Sequence, residues 1–356
     1  GYSLNNISVP TICKPAIILP EYSVTQAEII EFIKVHFPNA NALPKAIKMI
    51  SNNQVLKRNF IRPLKEIISD LGLEQRNSLY LKFARQLAKK AAVQAIKNAE
   101  LEINEIDMVI ATSCTGFLMP SLTTMLINDL GLSAKTRQVP ISQLGCSAGT
   151  AAVNLAVDHC NAHSGNNVLI VNVELCSLLF HAEDALLSSL ISASLFGDAA
   201  TASVVRGKGG KGFAITATHS FMLRNTEDYI YYDIKDAGFY FRLNKKVMSS
   251  IKLVLPEVTQ FLKSTYQKEA NEMDFHVFHT GGKRILDELA NGFSLEEKSI
   301  INSRESLSEN GNLSSAAVFD VLNRFFENGR PLPGQQGFML AFGPGFSTEI
   351  SAGYWV

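Results

Sequence analysis

The strongest constraint on how this chain can fold is that it repeats itself. Asn104-Glu105-Ile106-Asp107 returns as Asn271-Glu272-Met273-Asp274, 167 residues later, and each copy runs into an apolar segment followed by a Thr/Gly turn. With one residue of slip, Leu144-Gly145-Cys146 falls opposite Asn310-Gly311-Asn312, each ahead of an alanine-rich helix. Phe196-Gly197-Asp198-Ala199 likewise pairs with Phe342-Gly343-Pro344-Gly345, each leading into a closing strand. Three echoes in one order imply two related halves packed about a pseudo-two-fold axis. They divide at residues 1–208 and 213–356. The intervening Arg206 to Gly212 stretch is rich in glycine, but it lacks the terminal Lys-Ser/Thr of a phosphate loop and opens no helix, so it reads as a flexible connection.

Within the halves, hydrophobic periodicity predicts helices over Thr25 to Phe37, Leu43 to Gln54, Asn77 to Ala99 and Ser121 to Leu130. Strands are expected at Asp107 to Thr112, Asn167 to Val173 and Phe275 to His279. Alternation of this kind defines an α/β layered fold. With 46% hydrophobic residues the chain can fill a large core, and 33 basic against 33 acidic side chains leave no global field for nucleic acid or an anionic membrane. Its five cysteines are odd in number and lack Cys-x-x-Cys spacing, which argues against a disulfide framework or a structural zinc site. No run of about 18 apolar residues appears, and the stretch Gly1 to Glu21 does not show a basic flank followed by an apolar core of signal type. A cytoplasmic protein is therefore expected.

Cys146 sits between a strand-like approach and a run of small helix formers. A cysteine at a helix start meets unpaired N–H groups and the positive end of the helix dipole, which favour thiolate. Taken alone, the motif is equally compatible with a small packed thiol. The duplication bears on that choice, because it puts Asn312 at the mirrored position, while His279 closes a strand where open α/β folds gather ligand contacts. A nucleophile, an imidazole and a neutral amide donor supply the distinct needs of acyl transfer. His159 and His163, one helical turn apart, have no focused partners; they read as surface residues, and no metal site is expected. Cys160 reads as core.

The Cys146 loop, His279-Thr280-Gly281-Gly282 with Ile285-Leu286-Asp287, Gly311 to Ala316, and Phe342 to Phe346 together resemble the signature segments of type III polyketide synthases, the chalcone synthase-like family. The resemblance keeps the family's order and spacing and covers nearly the whole chain. It implies a thiolase fold, layered αβαβα, in a homodimer. It further implies that Cys146 carries the growing chain as a thioester while His279 and Asn312 stabilise the enolate left when malonyl-CoA loses CO2. Malonyl-CoA and other acyl-CoA thioesters would be substrates, with no metal or redox cofactor. By the same resemblance Phe196 and Phe241 gate the pocket, Met119 crosses the dimer interface into the partner's cavity, and Cys114, Cys176, Tyr232 and Ser314 line the cavity. Lys45 and Lys48 would meet the CoA phosphates and Arg284 the tunnel mouth, with Asn52 standing where the family has a third basic residue. Plant members commonly carry threonine at the Cys114 and Cys176 positions, so a phenylpropanoid starter is not expected.

The segment Ser113 to Leu122 looks like that of bacterial members, and Phe278 to Leu289, Ser306 to Phe319 and Tyr232 to Asp236 look most like those forming phloroglucinol from three malonyl units. Tetrahydroxynaphthalene, or an alkylpyrone from a fatty acyl starter, are the alternatives. An initiating ketoacyl synthase acting on an acyl carrier protein would use the same three residue types, but it calls for an Asn close after the histidine, where this chain has Thr280-Gly281-Gly282. A non-catalytic acyl-binding scaffold would not need all three reactive positions.

Overall fold

The computed structural model describes residues 8–67 and 71–356. Ten strands form one mixed sheet that runs through both halves, and two strand pairs, Tyr22–Thr25 with Lys57–Phe60 and Ile230–Lys235 with Gly238–Leu243, form separate two-stranded sheets. In spatial order the large sheet runs Phe275–Phe278, Gln336–Gly343, Gly345–Trp355, Phe213–Thr226, Thr11–Ile12, Asp198–Arg206, Asn167–Leu175, Met108–Thr112 and Arg137–Ile141, with Ala16–Ile18 added on Asp198–Arg206. The short Thr11–Ile12 strand pairs antiparallel with both Asp198–Arg206 and Phe213–Thr226, and so joins the two halves. Residues 207–212 link the long strands on either side.

Strand alternation explains the layers. Val109, Ala111, Leu169 and Val171 face an outer helix pair, Leu73–Asn98 and Leu122–Leu130, while their neighbours Met108, Ile110, Val168 and Ile170 face the opposite way. Phe278, Phe338 and Leu340 pack on a second outer set that includes Lys246–Tyr266 and Lys283–Gly292, while Val277, Met339 and Ala341 face inward. Both inward faces meet two central helices, Ala148–Ala162 and Ala317–Glu327. Helix, sheet, helix, sheet, helix is the expected αβαβα order. The Leu73–Asn98 helix lies on its sheet through Ala84, Ala88, Ala91, Ala92 and Ala95, whose small side chains permit close approach and cost the helix no propensity. Ser121 caps the Leu122–Leu130 helix by accepting from the Thr123 amide (3.2 Å).

The duplication is visible in the register, with one correction. Each central helix is preceded by a three-residue 3₁₀ turn, Gly145–Ser147 in the first half and Ser314–Ala316 in the second. Counted from the helix starts, the counterpart of Cys146 is Ser315. Asn312 lies earlier, in a bridge to Phe196, where its N–H donates to Leu195 O (2.8 Å) and its O accepts from Gly197 N–H (3.1 Å). The alanine runs are too uniform to fix that register from sequence.

Candidate active site

Close approach of the two helix starts builds the site. Gly149 makes it possible: a Cβ there would lie 2.2 Å from Ser315 O. Gly145 takes a left-handed φ of +54° with Pro344 packed against it, which ties the Gly343-Pro344-Gly345 motif to the Cys146 turn. From the mirrored turn, Ser314 adopts φ +53°, an uncommon conformation outside glycine, and its hydroxyl sits 3.5 Å from Cys146 Sγ and 3.7 Å from Cys114 Sγ.

A continuous set of contacts then joins the three candidate reactive residues. Cys146 Sγ donates to Ser314 Oγ, and the Ser314 amide donates to Asn312 Oδ1 at 2.8 Å. That bond fixes which end of the Asn312 amide is oxygen, so Nδ2 faces Gly281, whose carbonyl it reaches only at 3.5 Å. Gly281 in turn packs on the His279 ring, since a methyl added there would lie 3.6 Å from Nε2. His279 Nδ1 and the loosely held Asn312 Nδ2 are thus buried donor positions without strong protein partners.

The electrostatics depart from the sequence argument for Cys146. Burial pushes its thiol up to about 12, the Ser314 hydrogen bond pulls against that, and the Glu174 charge adds to it. Desolvation outweighs the helix start, and the resting group is a thiol. Burial alone drops His279 to about 4, so its imidazole is neutral at physiological pH.

A cavity of about 590 Å³ opens from Cys146. Phe196, Phe241, Cys114, Cys176, Tyr232 and Ser314 line it, as the resemblance implies, with the Phe196 and Phe241 rings edge to face at 5.3 Å. Tyr232 Oη donates to Cys114 O (2.6 Å). His279 and Asn312 are not among the lining residues, and Asn312 is bridged to Phe196, which is. Met119 is outside the cavity and 88% exposed, beside Phe117 at 63%. Lys45 and Lys48 are exposed on the Leu43–Ser51 helix and Arg284 on the Lys283–Gly292 helix, and none of them makes an ion pair among the described residues. His159 corrects the surface reading. It is buried, with Nε2 2.9 Å from Asn166 Oδ1, Nδ1 3.3 Å from Arg137 and its ring 4.5 Å from His163.

Sequence reasoning missed Glu174. It is buried and accepts from Ser315 Oγ (2.6 Å) and the Cys114 amide (3.2 Å), with Cys114 Sγ at 3.5 Å. Burial raises its carboxyl to about 7 against the pull of those hydrogen bonds. Ser315 also accepts from Thr112, which accepts from Asn172, so buried polar groups of the first half lock onto the mirrored turn of the second. The available signal was Asn172 and Glu174 alternating with Val171, Val173 and Leu175 in an otherwise apolar strand, where a charge needs partners.

Comparison with known proteins identifies the family. Residues 11–209 match the family description "Chalcone and stilbene synthases, N-terminal domain" and residues 214–351 its C-terminal counterpart. The chain belongs to that family and is a type III polyketide synthase, an acyltransferase. Among curated relatives, phloroglucinol synthase of Pseudomonas fluorescens is 44% identical over 97% of this chain and 99% of its own length. The 1,3,6,8-tetrahydroxynaphthalene synthase of Streptomyces coelicolor is 39% identical over 97% and 92%. The crystal structure of that synthase superposes with a TM-score of 0.95 over 97% of this chain and 99% of the other, and germicidin synthase from the same organism with 0.92 at 25% identity over 98% and 100%. Among the described residues no helix is long and apolar enough to cross a membrane.

Proposed function

We propose that this chain condenses malonyl-CoA on Cys146 and releases phloroglucinol. The observation that carries the mechanism is the contact series from Cys146 through Ser314 and Asn312 to Gly281 and the His279 ring. Neutral His279 accepts the Cys146 proton as the thiol attacks a thioester, and CoA leaves as its thiol. A second malonyl group then loses CO2, and its enolate oxygen takes hydrogen bonds from Asn312 Nδ2 and the His279 imidazole. A carboxylate at position 312 would repel that oxygen; a neutral amide does not. The enolate carbon attacks the Cys146 thioester, expels the thiolate and forms the new carbon–carbon bond. The lengthened chain, now a CoA thioester, is passed back to Cys146 with release of CoA before the next extension; once three malonyl units have lost three CO2 in all, the starter's included, the terminal carbanion attacks the thioester carbon, the thiolate leaves, and enolisation gives the aromatic triol. Beside the cavity, Glu174 with a carboxyl near neutrality can accept and return protons during closure. No metal or redox group is needed for any of these steps.

The product reading is supported by the likeness to phloroglucinol synthase. A second reading draws on the cavity itself, whose far side is apolar (Ile29, Phe32, Ile33, Phe60, Leu64 and Ile67) and suits a fatty acyl starter and an alkylpyrone. The likeness to tetrahydroxynaphthalene synthase supports that product as a further alternative. Incubation with malonyl-CoA alone, followed by mass analysis, distinguishes them: phloroglucinol is expected, and product formed only after adding a long-chain acyl-CoA would overturn the reading. We also assign Lys45, Lys48 and Arg284 to the CoA phosphates. The exposed Met119 and Phe117 mark the surface by which a homodimer would form in the cytoplasm, and sedimentation at twice the chain mass is the check.

A further inference from the structure

We infer that an ion pair at the edge of the cavity, Arg242 on the outer face of one wall with Asp184 on the lining of the other, sets the width of the cavity and thereby the length and closure of the chain built there. The inference rests on the proposed condensation.

Two elements face each other across the cavity, the hairpin Ile230–Lys235 with Gly238–Leu243 and the segment from Cys176 to Phe196. The hairpin is a separate two-stranded sheet, with no ladder to the ten-stranded one. Two-stranded hairpins are marginal alone, so side chains must hold this wall in place. Alternation gives it two unlike faces: Ile230, Tyr232, Ile234, Phe239 and Phe241 line the cavity, with Tyr231 reaching its edge, while Asp233, Tyr240 and Arg242 do not line it.

That second set carries the fastening. Arg242 Nη1 donates to Asp184 Oδ2 at 2.7 Å and to Ser189 Oγ at 3.2 Å, and Ser189 donates to the same carboxylate oxygen at 2.6 Å. The Arg242 and Asp184 side chains are only 14% and 11% exposed. Tyr240 donates to Glu183 and stacks on His181 at 3.7 Å, while His181 Nε2 donates to Phe239 O at 2.9 Å. The segment itself is tied to the body by Arg76, which donates to Leu178 O and Phe180 O. Of these ties, the Arg242–Asp184 pair alone joins two full charges across the gap with little solvent; the other carboxylate near Arg242, Asp233 at 3.8 Å, is half exposed and on its own hairpin, so it cannot replace the tie across the gap. Arg242 touches no reacting atom. It is a positioning residue that acts through Tyr232 and Phe241, which sit on the opposite face of its own hairpin.

The test uses the full chain with Asp184→Asn, Arg242→Gln, their double variant and Arg242→Lys. Three readouts are taken: CO2 release from malonyl-CoA, the mass distribution of products, and thermal melting to confirm folding. Asp184→Asn keeps the volume and the Ser189 contact, so at least one variant retains its fold. Cys146, His279 and Asn312 lie on other elements, so CO2 release should stay within about twofold of wild type. A wall displaced by about 1 Å can cost cyclisation up to about a hundredfold. The ratio of wild-type product to longer or uncyclised products should therefore collapse in both single variants. The double variant should be no worse than either single one, and Arg242→Lys should recover part of the ratio. An unchanged distribution in folded Asp184→Asn, or additive losses in the double variant, would overturn the inference. Absence of CO2 release from wild type would instead overturn the condensation reading.

Discussion

The two halves of this molecule run the same strand, turn and helix in the same order, yet their turns present different chemistry. In the first half the turn before the central helix offers Cys146; in the second, the same place holds Ser315, with Ser314 beside it and Asn312 one turn earlier. The first half then lends Thr112 and Glu174 to hold Ser315 in place. On the proposed reading, duplication has placed a nucleophile and its enolate-stabilising donors on opposite sides of one axis. Each half is then incomplete without the other.

Breaking that division at Cys146 should have the largest effect. Cys146→Ala is expected to lower product formation by at least about 10⁴-fold, with no acyl adduct in the intact-protein mass spectrum. At Asn312 the loss of one donor should cost about 10²–10³-fold in decarboxylation. Asn312→Asp separates donation from positioning, because a carboxylate can still accept from the Ser314 amide but offers no N–H. If Asn312→Asp keeps the wild-type rate of CO2 release, the donor role is wrong.

Packing between the halves gives a smaller effect. Gly149 faces Ser315 O at 2.2 Å and Val318 Cγ2 at 3.1 Å from its would-be Cβ. Gly149→Ala should therefore destabilise by about 1–3 kcal/mol in urea unfolding through overpacking, and Val318→Ala by a similar amount through a cavity. Equal loss on both sides would mark the contact as a shared seam.

An effect of comparable size depends on pH. Glu174 has a folded pKa of about 7, above its ordinary 4.5, so the stability it lends is complete below about pH 4.5 and is lost as pH rises through 7. Glu174→Gln should accordingly stabilise by up to about 3 kcal/mol at pH 8 and by little at pH 4. His279 works the other way. Its folded pKa of about 4 lies below 6.5, so stability falls as pH drops from about 6.5 towards 4, and His279→Gln should flatten that limb of the melting curve.

Much of this was legible in the sequence because period and repetition survive in a one-dimensional string. The strand at Met108–Thr112 and its echo at Phe275–Phe278 appear where alternation and the 167-residue offset put them, as do the helices capped by Thr25 and Ser121. The turn that holds Cys146 and the strand that runs into His279 were legible, but the register that makes Ser315 rather than Asn312 the counterpart of Cys146 was not. Nor was the ionisation of Cys146, since the helix-start argument omits how much water the cavity wall removes from it. Glu174 and the Arg242–Asp184 pair were also hidden. Their partners lie on other elements, and only the three-dimensional fold brings an isolated charge to its counterpart.

The division of labour between the halves has one direct measurement: CO2 released from malonyl-CoA by Cys146→Ala set against Asn312→Ala. If the first half only carries the chain and the second stabilises the enolate, Cys146→Ala still releases CO2 while making no product. Asn312→Ala should be acylated at Cys146 yet release CO2 about 10²–10³-fold more slowly. Loss of CO2 release from Cys146→Ala as complete as that from Asn312→Ala would contradict the account.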